Sequence, residues 1–188
     1  MKTIVALLFS FVSITAFAQQ LTDFKLVNVL NDQTVSTGSY PSCSGMVIIF
    51  TSNTCPYDEY YRARIAKLAA SYTDKVPVLL VNPQPDPTDS KENMVKKAKQ
   101  LNFSFPYLED KNQTLMTALD AKKTSEAFLL KNEGGKFTVV YRGAIDDNAQ
   151  VEADVRHHYL RDAIDIMLAN QKVATSEVRP VGCTLKKK

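Results

Sequence analysis

Apolar positions along the chain fall into runs of two kinds. Val47, Ile48, Ile49 and Phe50 form an unbroken, mostly β-branched run, the pattern of a strand buried on both faces of a mostly parallel sheet. Val76 to Val81 repeats that pattern. Tyr57, Tyr61, Ile65, Leu68, Ala69 and Tyr72 instead recur at three- and four-residue intervals, which predicts an amphipathic helix ending near Thr73-Asp74. Met94, Val95, Ala98 and Leu101 give a second helix its stripe, with Asp89 and Glu92 as its expected cap. Pro106 to Leu108 predicts a short extended piece, and Leu115, Met116 and Leu119 a short helix. Ala127 to Leu130 and Phe137 to Tyr141 read as strands joined by Asn132-Glu133-Gly134-Gly135, a hairpin-loop signal. A last helix is predicted from about Val151 to Ala169. Ahead of all these, Phe24, Leu26, Val27, Val29 and Leu30 predict an edge strand. Asn82 to Pro87 reads as an irregular loop at the carboxyl end of a strand, in which three prolines exclude helix.

This order is that of an α/β protein with a mixed central sheet flanked by helices. Its short β-α-β connections imply right-handed crossovers, which leave few other topologies open. With 188 residues, 45% of them hydrophobic, the chain is sized for one compact domain. A formal charge of +3 carries no basic footprint for nucleic acid. Lys91, Lys96, Lys97 and Lys99, and the terminal Lys186, Lys187 and Lys188, read as solvated surface.

The amino-terminal segment departs from this pattern. Lys2 precedes a largely apolar run, Ile4 to Phe17, and Ala16-Phe17-Ala18 has the small-x-small form of a signal-peptidase site. The expected organisation is a signal peptide at 1–18, a folded domain at 19–170 and a polar tail at 171–188. The apolar run is short for a membrane span and no second run follows. The mature protein is therefore expected to be periplasmic or secreted, in an oxidising compartment and without a membrane anchor.

Three cysteines follow the leader: Cys43, Cys55 and Cys183. Pro56 is suited to the first helical position, which puts Cys55 at or next to an N-cap, between the buried strand and the helix. There the helix dipole favours a thiolate and can lower the pKa below the free value of roughly 8.5. Cys55 is thus the candidate nucleophile. Asp58 and Glu59 suit the helix's first turn, but their charges work against that thiolate, so the net effect stays open. Cys43, in the Ser42-Cys43-Ser44 loop, reads either as an incidental exposed thiol or as a disulfide partner. His157 and His158 are adjacent on a predicted helix and point apart, so no metal site is expected, and Asp146-Asp147 reads as a solvated turn.

Five segments together resemble the peroxiredoxin-like group of the redoxin families within the thioredoxin-like superfamily. They are Asn53 to Tyr57 (N-T-C-P-Y), Asp89 to Lys99, Phe105 to Asp110 (F-P-Y-L-E-D), Tyr141 to Asn148 and Gly182 to Lys186 (G-C-T-L-K). The resemblance covers nearly all of the mature chain. It implies a thioredoxin-like three-layer fold with an N-terminal extension and a C-terminal tail. It also implies thiol chemistry without a cofactor, a peroxide or protein thiol/disulfide as substrate, and a reducing partner.

Two positions depart from the superfamily's pattern. Asp58 stands where a C-x-x-C motif has its second cysteine, and Ser125, in the loop expected to face Cys55, stands where a cis-proline is usual. Ser52, three residues before Cys55, matches the spacing of a peroxiredoxin hydroxyl residue, while the family's arginine has no firm counterpart beyond Arg142. Ser52, Asn53, Thr54, Pro56, Asp58, Thr124 and Ser125 are expected to line the site. The tail's Gly182-Cys183 resembles that of the group, so Cys183 is a candidate partner for Cys55. That pair would be a redox couple or a staple of the tail, or the two thiols would stay unbonded. Two functions remain open: an exported thiol-dependent oxidoreductase, or a non-catalytic thioredoxin-fold binding module with structural cysteines.

Overall fold

The computed structural model describes residues 19–188; the predicted signal peptide, 1–18, lies outside the described residues. After a two-residue strand β1 (Gln20–Leu21), β2 (Lys25–Asn28) and β3 (Thr34–Ser36) pair as an antiparallel hairpin. The buried runs become β4 (Gly45–Phe50), followed by α1 (Pro56–Tyr72), and β5 (Val78–Asn82), followed by α2 (Lys91–Gln100). Then come β6 (Tyr107–Glu109), α3 (Thr114–Leu119), β7 (Ala127–Glu133), β8 (Lys136–Gly143), α4 (Tyr159–Leu168) and β9 (Glu177–Val178).

Among the described residues the strands form one mixed sheet in the order β1-β8-β7-β4-β5-β6-β2-β3, with β9 also on β8. β4, β5 and β6 run parallel, while β7 is antiparallel to both β4 and β8. Side chains alternate across the sheet, so each strand feeds two cores. On one face Val47, Ile49, Val78, Leu80 and Leu129 pack with Tyr61 and Ile65 of α1, Met94 and Ala98 of α2, and Leu160 and Ile164 of α4. On the other, Met46, Ile48, Phe50, Leu79 and Phe128 pack with Leu115 and Leu119 of α3, with the N-terminal extension and with Leu185 of the tail. The result is the three-layer α/β arrangement with the sheet in the middle.

Local structure differs from expectation at five places. β2 is not an edge strand, because β6 pairs with it on the side away from β3. Pro87 starts a single 3-10 turn, Pro87–Asp89, since a proline costs nothing at a first helical position. α2 is capped by Ser90, whose hydroxyl accepts from Asn93 N, while the Asp89 carboxylate is drawn inward to Asn53 and Asn82. α4 starts at Tyr159, not near Val151. The Asn148 side chain takes the amides of Gln150 and Val151 and Asp147 takes that of Arg156, so polar side chains divert the backbone that a helix would need. Finally, Cys43 is a free, buried thiol packed in the second core, and burial pushes its pKa up.

Candidate active site

The site forms where β4 ends and α1 begins. Cys55 is the N-cap of α1, in extended conformation, with Pro56 in the first turn. The approach to it is tied down by side chains. Ser52 Oγ accepts from Cys55 N at 3.1 Å and from Thr54 N at 3.3 Å. Asn53 N donates to Asp89, its amide reaches Thr88 O, and Tyr107 OH donates to its carbonyl oxygen. From α2, Lys97 Nζ donates to Ser52 O and Asn53 O, and partial burial holds its pKa down. Cys55 itself is only 4% exposed.

Cys55 and Cys183 are joined by a disulfide. The tail that carries Cys183 lies along the loop before β7. Thr124 N donates to Cys183 O at 2.8 Å, Cys183 N donates to Thr124 Oγ1 at 3.0 Å, and the Thr124 hydroxyl points at Cys55 Sγ, 3.0 Å away. Further on, Leu185 N donates to Lys122 O, and the Leu185 side chain is buried in the second core. Gly182 is required by contact, since a Cβ there would lie 1.9 Å from Thr124 O.

On the other side of the helix start, the two departures from the superfamily's pattern meet. Ser125 Oγ donates to Asp58 Oδ1 at 2.6 Å, and Asp58 Oδ2 accepts from Ser52 N at 2.7 Å and from Thr51 Oγ1 at 3.1 Å. A buried carboxylate and its hydroxyl donor therefore stand where a second thiol and a proline are usual. Burial pushes the Asp58 carboxyl above its ordinary range, and the bonds from Ser125, Ser52 and Thr51, with the more distant Lys97, offset part of that rise. Ser125 is held at φ 56°, in the left-handed region, and the described residues contain no cis peptide bond. A small water-sized cavity of about 20 Å³ adjoins Asp58, Thr51 and Lys97.

The predicted lining residues Ser52, Asn53, Thr54, Pro56, Asp58, Thr124 and Ser125 thus all fall within the segments around Cys55. Sequence reasoning missed the residues that build the facing loop. Glu126, 2% exposed, accepts from the amides of Lys122 and Lys123 and pairs with Arg142 at 3.2 Å. Arg142 is thereby committed to Glu126, to Glu177 and to the ring face of Phe128, and makes no hydrogen bond to Cys55. A charged residue directly before the buried run Ala127 to Leu130 was the one available sign of Glu126. Asp146, read as solvated, is buried and bonded to Arg64 at 2.5 Å, because α1 brings that guanidinium over the turn.

The family model described as "AhpC/TSA family" matches residues 17–153. No match is found among curated proteins. Among solved structures, an uncharacterized conserved protein from Geobacillus kaustophilus is similar at 28% identity and a TM-score of 0.81, with 94% of each chain covered. A hypothetical protein from Sinorhizobium meliloti is similar at 27% identity and a TM-score of 0.82, covering 93% of this chain and 96% of that one. The exposed lipoprotein thioredoxin of Streptococcus pneumoniae shares the fold at 17% identity and a TM-score of 0.60, covering 77% of this chain and 99% of its own.

Proposed function

The chain belongs to the AhpC/TSA family, and from that premise we propose that it is an exported thiol-dependent oxidoreductase in which Cys55 is the nucleophile and Cys183 the resolving thiol. Its preferred substrate in this reading is a protein disulfide. The observation that carries the reading is the contact of Thr124 Oγ1 with both cysteines, 3.0 Å from Cys55 Sγ and 3.0 Å from Cys183 N.

Starting from the oxidised chain, a thiolate of a reducing dithiol attacks the Sγ of Cys183, the less buried of the two residues. Cys55 leaves as a thiolate, stabilised by the Thr124 hydroxyl and the positive end of α1. The reductant's second thiolate attacks its own mixed disulfide and frees Cys183, so two electrons have entered the chain. Cys55 thiolate then attacks a substrate disulfide, one substrate sulfur leaves as thiolate and the other is bonded to Cys55. Cys183 thiolate attacks Cys55 Sγ, expels the second substrate thiolate and restores the starting bond. Two thiols carry the cycle, and it calls for no cofactor. A peroxide is the less favoured acceptor, since Arg142 is engaged by Glu126 and the Ser52 oxygen already accepts from two backbone amides.

Export rests on the leader-like segment 1–18 and is in keeping with the description of one fold neighbour as an exposed lipoprotein. In the mature protein, residues 19–170 would be the redoxin domain and 171–188 the redox-active tail. A second reading, a binding module with a structural cysteine pair, draws on the 4% exposure of Cys55. Equilibration in glutathione buffers with alkylation and mass readout separates the two. A reduction potential above about −300 mV supports the redox couple; a lower one, typical of structural disulfides, supports the staple.

A further inference from the structure

The segment from Gly182 to Lys188 is held largely through its backbone. Besides the Thr124 and Lys122 pairs, the buried amide of Gln113 clamps it, donating through Nε2 to Lys186 O at 2.7 Å and accepting through Oε1 from Lys188 N at 2.9 Å. Gln84 Oε1 accepts from Lys186 N at 3.2 Å. Such contacts recognise an extended chain whatever its side chains. Three positions are selected by close contact: Gly182, where Thr124 O leaves no space for a Cβ; Cys183, bonded to Cys55; and Leu185, sunk in an apolar socket. The other side-chain contacts, Thr184 with Lys123, Lys186 with Asp86 and Lys188 with Lys111 O, lie at the exposed surface. Once the disulfide is reduced and the tail lifts, an apolar socket and unpaired backbone groups are left beside the Cys55 thiolate. They form a template for strand-like addition of another segment.

We propose that this slot is the docking site for substrate, an extended segment of another polypeptide that presents a disulfide-bonded cysteine preceded by glycine and followed two residues later by an aliphatic side chain. The tail is then an internal copy of the substrate. This rests on the oxidoreductase reading above. Cys55 thiolate attacks the docked cysteine's sulfur and its former partner leaves as thiolate. Cys183 thiolate, on the displaced tail, then attacks Cys55 Sγ from the side opposite the docked cysteine, which leaves as thiolate, and the tail reclaims the vacated slot. Closing the internal disulfide and ejecting the product are coupled, because one slot serves two occupants.

The test uses the full mature chain carrying Cys183→Ser, reduced, with the octapeptide Val-Gly-Cys-Thr-Leu-Lys-Lys-Lys activated as its mixed disulfide with thionitrobenzoate. Release of the coloured thionitrobenzoate reports the attack of Cys55. Replacing the peptide's glycine by valine, or its leucine by aspartate, is expected to slow release at least tenfold. Adding Gly182→Ala to the protein, which unseats its own tail, is expected to speed reaction with the matched peptide. Equal rates for all peptides, with Cys55 still attacking the free bis-thionitrobenzoate disulfide, would overturn the slot while leaving the oxidoreductase reading intact. A Cys55 inert even to that small reagent would overturn both.

Discussion

Two buried carboxylates flank α1 and are treated in opposite ways. Asp146, near the middle of the helix, meets Arg64 at 2.5 Å and accepts from Tyr61 OH and Asn148 N. Arg64 also donates to the carbonyls of Asn148 and Ala149, so the pair fastens the loop after β8 to the helix. Asp58, one turn past Cys55, has only neutral donors in contact, from Ser125, Ser52 and Thr51, while Lys97 spends its protons on backbone carbonyls. A matched buried charge pins structure and costs dearly only when one partner is lost. An unmatched one has its pKa pushed up by burial, and here it sits one turn past the cysteine at the helix start.

The largest effect should come from breaking the match. Arg64→Met leaves Asp146 buried without its cation and is expected to cost about 3–5 kcal/mol, read by urea unfolding of the oxidised protein. Its Cys55–Cys183 potential should stay where it was. Next, Ser125→Ala removes a hydroxyl donor from Asp58, with an expected loss of about 2 kcal/mol. In contrast to Arg64→Met, it should also move the pH dependence of Cys55 alkylation.

Asp58→Asn should give a pH-dependent difference. Because the folded pKa of Asp58 is raised, its stabilising contribution is complete below the ordinary value of 3.8 and is lost as pH rises through the raised value. Unfolding free energies of the variant and the parent should therefore shift in the variant's favour across that window. A difference flat with pH would show that folding does not raise the Asp58 pKa. The smallest effect is expected at Cys43→Ala, away from both carboxylates. About 1 kcal/mol of stability should be lost for the trimmed side chain, with no change in the redox behaviour of the other two cysteines.

The fold was legible because its signals are local and periodic. The unbroken run at Val47 to Phe50 and the three- and four-residue spacing from Tyr57 to Tyr72 each predict an element without help from the rest of the chain. The Cys55 junction was legible for the same reason, since Pro56 marks the helix start. What escaped were contacts made across the chain. Asp146 looks solvated until Arg64, 82 residues earlier, is brought over it. The Asp58–Ser125 bond joins positions 67 apart, so each departure from the superfamily's pattern reads as a loss when taken alone. Cys43 sits in a polar stretch whose loop the fold presses onto the core. The shortened α4 shows the same limit at close range: its apolar stripe is periodic, but Asp147 and Asn148 take the backbone amides that the predicted first turns would have used.

The most direct test of the Cys55–Cys183 redox couple uses Cys43 as an internal reporter of unfolding. Mature oxidised protein is treated with a small excess of dithiol in native buffer and alkylated in timed aliquots, with each cysteine followed by mass spectrometry. The account predicts that Cys55 and Cys183 become labelled together while Cys43, buried in the second core, stays protected. Labelling of Cys55 and Cys183 only when Cys43 is labelled as well, at the rate of global unfolding, would contradict it and leave the bond a staple.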